Sequence, residues 1–364
     1  MSRPSYFLLY LGMKKVLSLI ITLLTISTLQ VRAQSDGFAQ LLKTAPGDAE
    51  KLLNAYATPL FKGFGTGLNN GWTNTAKTKG FLRVDVRFSV SGVFVPAADK
   101  SFDVTKIGLT NNIRPVPGSP NITPTVAGNQ GMTPATLGIY SNNNLLVDQF
   151  TLPKRITPII PAPQIQATIG LVKSTDFTVR YIPKSKISTD LGSVGMIGFG
   201  LKHNIMGDIF GGLGKRLVPF DLAIAAGYNR LNYELPVEVR PGAGKAPDAA
   251  SANKTDFSTQ RIEGHFSGFN IQAIISKKLL FFTPFAAVGY NAARTNVGLL
   301  GNFPVSSGLA TYTVYTDPVN IKTTSINDFK VDAGFQLDLA FLKFYASGSL
   351  AKYKSVTAGI GLGF

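Results

Sequence analysis

The chain closes on KSVTAGIGLGF, and this ending limits what it can fold into. Val356, Ala358, Ile360, Leu362 and Phe364 fall on one parity, and Ser355, Thr357, Gly359, Gly361 and Gly363 on the other. Successive side chains of a strand point to opposite faces, so the segment has one apolar face and one nearly bare face. Such a strand is buried in a sandwich, or it turns its apolar face to lipid.

The same alternation recurs along the chain. In FLRVDVRFSVSGVFV the even positions Leu82, Val84, Val86, Phe88 and Val90 are apolar, while Arg83, Asp85, Arg87 and Ser89 alternate with them. In FKVDAGFQLDLAF, Phe329, Val331, Ala333, Phe335, Leu337 and Leu339 alternate with Lys330, Asp332, Gly334, Gln336 and Asp338. Similar segments run over 165–171, 177–181, 220–228, 269–275 and 342–350. A soluble sandwich would carry Lys, Glu, Thr and Ser on its outward faces. Here the second face is often Gly, Ala or Ser with a few charges, which suits a crowded lumen. Aromatic residues gather near segment ends, at Tyr181, Phe220, Tyr228, Tyr233, Phe281, Phe282, Tyr290, Tyr345, Tyr353 and Phe364. Rings at both rims would form interfacial girdles.

Residues 13–34, MKKVLSLIITLLTISTLQVRAQ, read as a secretory signal: Lys14 and Lys15, an apolar stretch, then VRA before the expected cleavage. Residues 1–33 are assigned to it, with Met13 the expected initiator and Gln34 the first mature residue. Beyond it no run of eighteen apolar residues remains, so a membrane location requires a closed β-barrel, the other structure that satisfies its backbone in lipid. The expected location is the outer membrane. The expected fold is all-β, an antiparallel transmembrane barrel over 80–364, preceded by a helical, plug-like segment over 34–79. PGDAEKLLNAYATPLF supplies the helix, with Pro46 and Asp48 at its start and Pro59 limiting its end; about three turns are expected.

Counting back from an inward-running last strand places 352–354, 298–326, 235–263, 183–190 and 111–163 at one end. Residues 341, 276–281, 205–218, 173–175 and PAADK at 96–100 fall at the other. This counting gives eleven strands, and single-chain barrels are even. About twelve strands are expected, within a range of ten to fourteen, with 62–79 the best source of the missing one. The proline-rich stretch 111–163 is a mobile surface loop, a constriction or a cap over the mouth.

Composition removes several functions. There is no cysteine, so disulfides and Cys-based metal sites are excluded. The net charge of +16 comes from scattered Lys and Arg with no recognition motif, so no nucleic-acid partner is expected. His203 and His265 lack a second histidine at ligand spacing, and no G-x-S-x-G is present; no metal, cofactor or catalytic residue is expected. The candidate lumen-lining residues are Arg83, Asp85, Arg87, Arg180, Lys330, Asp332, Gln336 and Asp338. Lys202 and His203 are assigned to a rim or to a family motif, and Phe364 to the assembly signal. Charges facing a lumen either pair to rigidify it or line a path for solutes.

Three stretches carry a resemblance: LLNAYATPLFKGFGTGLNNGW (52–72), PAPQIQATIGLVKSTDFTVRYIPK (161–184) and GFGLKHNI (198–205). Together they resemble an uncharacterised family of outer-membrane β-barrels of Bacteroidota-type bacteria, over nearly all of the mature chain. A more distant similarity is to long-chain fatty-acid transporter barrels, which carry an N-terminal plug and often a strand end like Arg180-Tyr181-Ile182-Pro183. The first resemblance implies location and fold, and the second a plug. The expected function is passive uptake of a small hydrophobic or amphipathic solute by a monomer. Its partners would be outer-membrane lipid, that solute, and the assembly machinery reading the last strand. The alternative is a non-transporting structural or secretion-associated barrel.

Overall fold

The computed structural model describes residues 44–188 and 192–363. The signal sequence and the terminal Phe364 lie outside these residues. A helix α1 (Pro46–Asn69) comes first, followed by strands β1 (Val84–Phe94), β2 (Ile159–Gly170), β3 (Thr175–Ser188) and β4 (Gly192–Asn204). A short helix α2 (Met206–Leu217) leads to β5 (Asp221–Pro236), β6 (Arg261–Ser276), β7 (Phe282–Leu300), β8 (Val319–Leu339), β9 (Leu342–Leu350) and β10 (Ser355–Gly363). Each strand pairs antiparallel with its neighbours in sequence, and β1 pairs with β10 from Asp85↔Gly363 to Val93↔Ser355. The result is a closed up-and-down barrel of ten strands, not twelve.

The difference has two physical causes. PAADK at 96–100 is not a turn between wall strands but a short 3-10 helix (Ala97–Asp99) at the end of the barrel where the long connections lie. The alternating residues after it pair only over Ser101–Asp103, with Ile122–Pro124, because the Asp103 side chain accepts the Thr105 N–H and turns the chain away. The stretch 62–79 is not a strand either: α1 continues through it to Asn69.

The wall follows the parity read in the sequence. On β1, Asp85, Arg87, Ser89 and Ser91 are buried inside, while Val86, Val90 and Phe94 are exposed outside. On β10, Val356 and Leu362 are exposed. An outward belt of Val, Ile, Leu and Phe around a polar interior is the inverse of a soluble protein and fits a wall that meets hydrocarbon. Tyr181, Tyr228 and Phe281 contribute exposed rings to it. Tyr345 and Tyr353 do not, since both rings are buried inward; their hydroxyls have polar partners there.

Helix α1 lies inside the barrel. A Cβ on Gly63 would come within 2.6 Å of Ile160 on β2, and one on Gly65 within 2.7 Å of Ala293 on β7. These strands are five apart in a ring of ten, so the helix touches opposite walls. Only residues without a side chain pass at this separation. Gly67 likewise meets Ala162. Glycine costs a helix about 1 kcal/mol per residue, and wall contact overrides that cost here, so the helix runs past Pro59 and the glycines.

At the loop end the interior is apolar. Leu52, Leu53, Tyr56, Ala57 and Phe61 of α1 pack with Ile160, Phe266, Leu299 and Ile321 of the wall. Residues 95–158 cover this end: Val126, Ala127, Leu137 and Phe150 join the same core, and the Val126 N–H donates to the Tyr56 carbonyl at 3.1 Å. The proline-rich stretch is therefore a folded cap, including a three-stranded sheet of Ile113–Pro115, Thr136–Tyr140 and Leu146–Thr151. Asp99 latches it to both the helix and the wall, accepting from Lys62 at 2.8 Å and Tyr353 at 2.5 Å.

Candidate functional site

The polar half of the lumen, towards the short turns, holds most of the residues expected to line it. Here α1 ends, and the last carbonyls of a helix have no partner within it and carry negative partial charge. The helix has no basic residue in its own last turn. The wall supplies the donors instead. Arg180 Nη1 donates to the Leu68 carbonyl at 2.8 Å and Nη2 to the Asn70 carbonyl at 2.7 Å, while Nε reaches Gln166 at 3.2 Å. Its guanidinium lies 3.7 Å from the centre of the Trp72 ring. Asn229 donates to Leu68, Gln164 to Gly67, and Lys330 Nζ to Asn69 at 3.1 Å. Donors from β2, β3, β5 and β8 thus converge on one helix end.

Below it the chain descends as an irregular segment, also held through its backbone. Arg87 donates to the Gly71 and Trp72 carbonyls and stacks 4.9 Å from the Tyr345 ring centre. Lys202 donates to Thr75 at 3.1 Å and Lys77 at 2.7 Å and pairs with Asp176 at 3.0 Å. Asp85 pairs with Lys343 at 2.5 Å and Lys79 at 3.3 Å. A cavity of about 40 Å³ remains among Trp72, Asp85, Arg87, Asp176 and Lys202.

Arg87 and Arg180 face no bridging carboxylate among the described residues; carbonyls and aromatic faces hold them. Several groups of this layer are buried with no protein hydrogen-bond partner among the described residues, among them Asn69 Oδ1, Asn70 Oδ1, Trp72 Nε1, Asn229 Oδ1 and Arg87 Nε.

Of the expected lumen residues, Asp85, Arg87, Arg180, Lys330 and Gln336 are buried inside. Asp332 is half-buried and pairs with Lys330 at 3.0 Å. Asp338 sits lower, at the turn end, accepting from Gln336 at 2.6 Å. Arg83 is not in the lumen: it is exposed in the turn preceding β1. Lys202, assigned to a rim, is a lumen residue, because on β4 it alternates with outward Leu201 and His203. His203 does stand at the turn end on the outer face, between Asp208 at 2.7 Å and Thr175 at 2.9 Å. His265 is outward on β6, against Asn232 and Glu263.

Sequence reasoning missed Gln164, Gln166, Asp176, Asn229, Lys343 and Trp72. Gln164, Gln166 and Thr168 alternate with Ile165, Ala167 and Ile169, so the parity that found Arg87 would have found them. Trp72 carried no such signal. Its place is set by Gly200 and Gly227, whose missing side chains leave room for the indole.

A sequence-family description, "Family of unknown function (DUF6588)", matches residues 13–364. No curated protein matches. Among solved structures the fold is similar to the outer membrane protease OmpT from Escherichia coli, at 9% identity and TM-score 0.31, covering 81% of this chain and 100% of that one. It is also similar to the outer membrane transporter YddB from Escherichia coli, at 11% identity and TM-score 0.24, covering 77% of this chain and 43% of that one. The Ralstonia pickettii toluene transporter TbuX matches at 8% identity and TM-score 0.20, covering 78% and 90%.

Proposed function

The chain belongs to the DUF6588 family of unknown function, and on that premise we propose that it is an outer-membrane barrel for passive uptake of a small amphipathic solute. Residues 46–79 act as a plug that must shift for the solute to pass. The observation that carries this reading is that the wall holds 67–77 almost wholly through backbone carbonyls. A network built to be permanent is apolar or fully paired, since a partner-less buried polar group costs about 1–3 kcal/mol. Here wall side chains grip backbone carbonyls, and water can replace a donor to a carbonyl, so the grip can be released without stranding the groups it held. Displacement would open a path with apolar walls at the loop end and charged walls of both signs at the turn end. His203 and His265 face away from that path, which supports a role at the wall surface rather than in chemistry along the lumen.

A second reading, a closed structural barrel, is favoured by the dry core under the cap, where Leu52 and Tyr56 are fully buried. One experiment separates the two. Thr75 Oγ1 and Ser276 Oγ lie 3.1 Å apart, joining the plug to β6. The chain has no native cysteine, so Thr75→Cys with Ser276→Cys forms one lock. In planar bilayers the oxidised lock should be silent, and reduction should restore the conductance of the unlocked chain. Silence from the folded chain in every state would sink uptake and leave the structural reading standing.

A further inference from the structure

We propose that the outer wall carries a binding site for the phosphate groups of a lipid in the leaflet at the loop end, formed by Arg230, Arg294 and Lys322. This rests on the outer-membrane reading above but not on solute uptake.

The site follows from strand register. A tilted strand of about ten residues crosses the hydrocarbon, so the far ends of 19-residue β7 and 21-residue β8 stand beyond it. Across β5 to β8, the outward row Tyr228–Phe269–Ala292–Asn327 still belongs largely to the apolar belt. The next outward row is Arg230–Ser267–Arg294–Thr324, and the one above it Asn232–His265–Asn296–Lys322. Polarity therefore changes within two steps along the strands, from aromatic rings to guanidinium and hydroxyl groups and then to ammonium and amide groups. At this step β8 is bulged between Thr324 and Ile326, and the wall forms an open cleft of about 430 Å³ lined by these side chains.

The cations are free to bind. Arg230, Arg294 and Lys322 are all exposed, and none pairs with a carboxylate among the described residues. Glu234 and Glu263, on the outward row above, are paired with Lys184 at 2.8 Å and with Arg261 and His265 at 3.5 and 3.2 Å. Three unpaired cations gathered in a cleft repel one another and gain most from a multiply charged anion. Arginine offers the planar, paired donors that match phosphate oxygens. The position selects a lipid over a soluble anion: the cleft opens directly above Tyr228 and Phe269, the level at which a headgroup sits when its chains lie against the belt below.

The test uses the refolded full chain in detergent with diphosphoryl lipid A as the probe, read by native mass spectrometry. The parent should retain one lipid at concentrations where Arg230→Gln/Arg294→Gln/Lys322→Gln retains at least about tenfold less. A dephosphorylated glycolipid should bind the two equally. Removing exposed, unpaired cations leaves folding intact, checked by heat-dependent gel migration. A control variant, Lys106→Gln/Lys254→Gln, should bind like the parent. Equal retention by parent and triple variant overturns the site. Inorganic phosphate competing at equal concentration also overturns it, since the site would then take a soluble anion. Failure of the parent to insert into vesicles would instead show that the membrane reading itself fails.

Discussion

Arg180 is fully buried and does three jobs at once: it caps α1 through two carbonyls, orients Gln166, and stacks on Trp72. Arg180→Met keeps the volume and strands the Asn70 carbonyl and Gln166 Oε1, while the Leu68 carbonyl keeps Asn229. At about 1–3 kcal/mol for each stranded group, stability to urea should fall by about 2–5 kcal/mol. Arg180→Lys should recover only part of this, because one ammonium cannot reproduce the guanidinium fork. Equal midpoints for the methionine and lysine variants would show that charge and geometry are irrelevant there. Asp99 gives a pH prediction at the same scale. Burial pushes its carboxyl up, but hydrogen bonds from Lys62 and Tyr353 and the Lys62 charge outweigh it and hold the group below the usual carboxylate range. A depressed folded value stabilises the fold above the unfolded value of about 4 and loses that contribution as pH falls through the folded one. The cap latch should therefore hold at neutral pH and release in acid. Urea midpoints compared above and below pH 4 should drop for the parent, and the drop should shrink in Asp99→Asn.

The helix that threads the barrel depends on what its residues lack. Gly67→Val would drive a branched side chain into Ala162, and Gly65→Val one into Ala293 and Ile326. Overpacking in a closed ring has nowhere to relax, so each should cut the yield of heat-modifiable folded barrel by about tenfold or more. Gly47→Ala, in the first turn with open space around it, should shift stability by less than about 1 kcal/mol. Similar yields for all three variants would mean that the helix does not fill the lumen during folding. The same glycines explain why the helix was only half legible. Leu52, Leu53 and Tyr56 show helical spacing, and Pro46 with Asp48 marks the start. GFGTG is poor in helix propensity, so its stretch reads as the source of a missing strand, and only a wall on both sides makes it helix. The wall strands were legible because their faces meet such different surroundings that the parity is sharp, as in Asp85 and Arg87 against Val86 and Phe88. The counting that put PAADK at the turn end misled, because Ser101–Asp103 pairs within the cap rather than in the wall.

Along its whole length the interior changes character, from the dry core of Leu52, Tyr56, Phe266 and Leu299 under the cap to the charged layer of Arg87, Lys202 and Asp176 near the turns. Individual charges of that layer could be read from parity, but their partners could not. The acceptors are backbone carbonyls of 67–77, and any residue type carries a carbonyl. This division predicts two tiers of stability in one threaded segment. Amides of 50–61 are helical, and the face of Leu52, Leu53, Tyr56, Ala57 and Phe61 packs in an apolar core. Below the helix, the N–H groups of Ala76, Lys77 and Lys79 depend on side-chain oxygens of Ser276, Thr75 and Asp176. Few apolar contacts and side-chain-held amides mark a region that opens locally. Hydrogen exchange of the refolded barrel should therefore find 71–79 exchanging about ten- to a hundredfold faster than 50–61. Oxidising the Thr75→Cys/Ser276→Cys lock should narrow that gap by slowing the lower tier alone. Equal protection from 50 to 79 would mean the whole segment opens as one body or stays shut. The polar layer could not then act as the first part to yield, and a solute would have to displace the helix and its cap together.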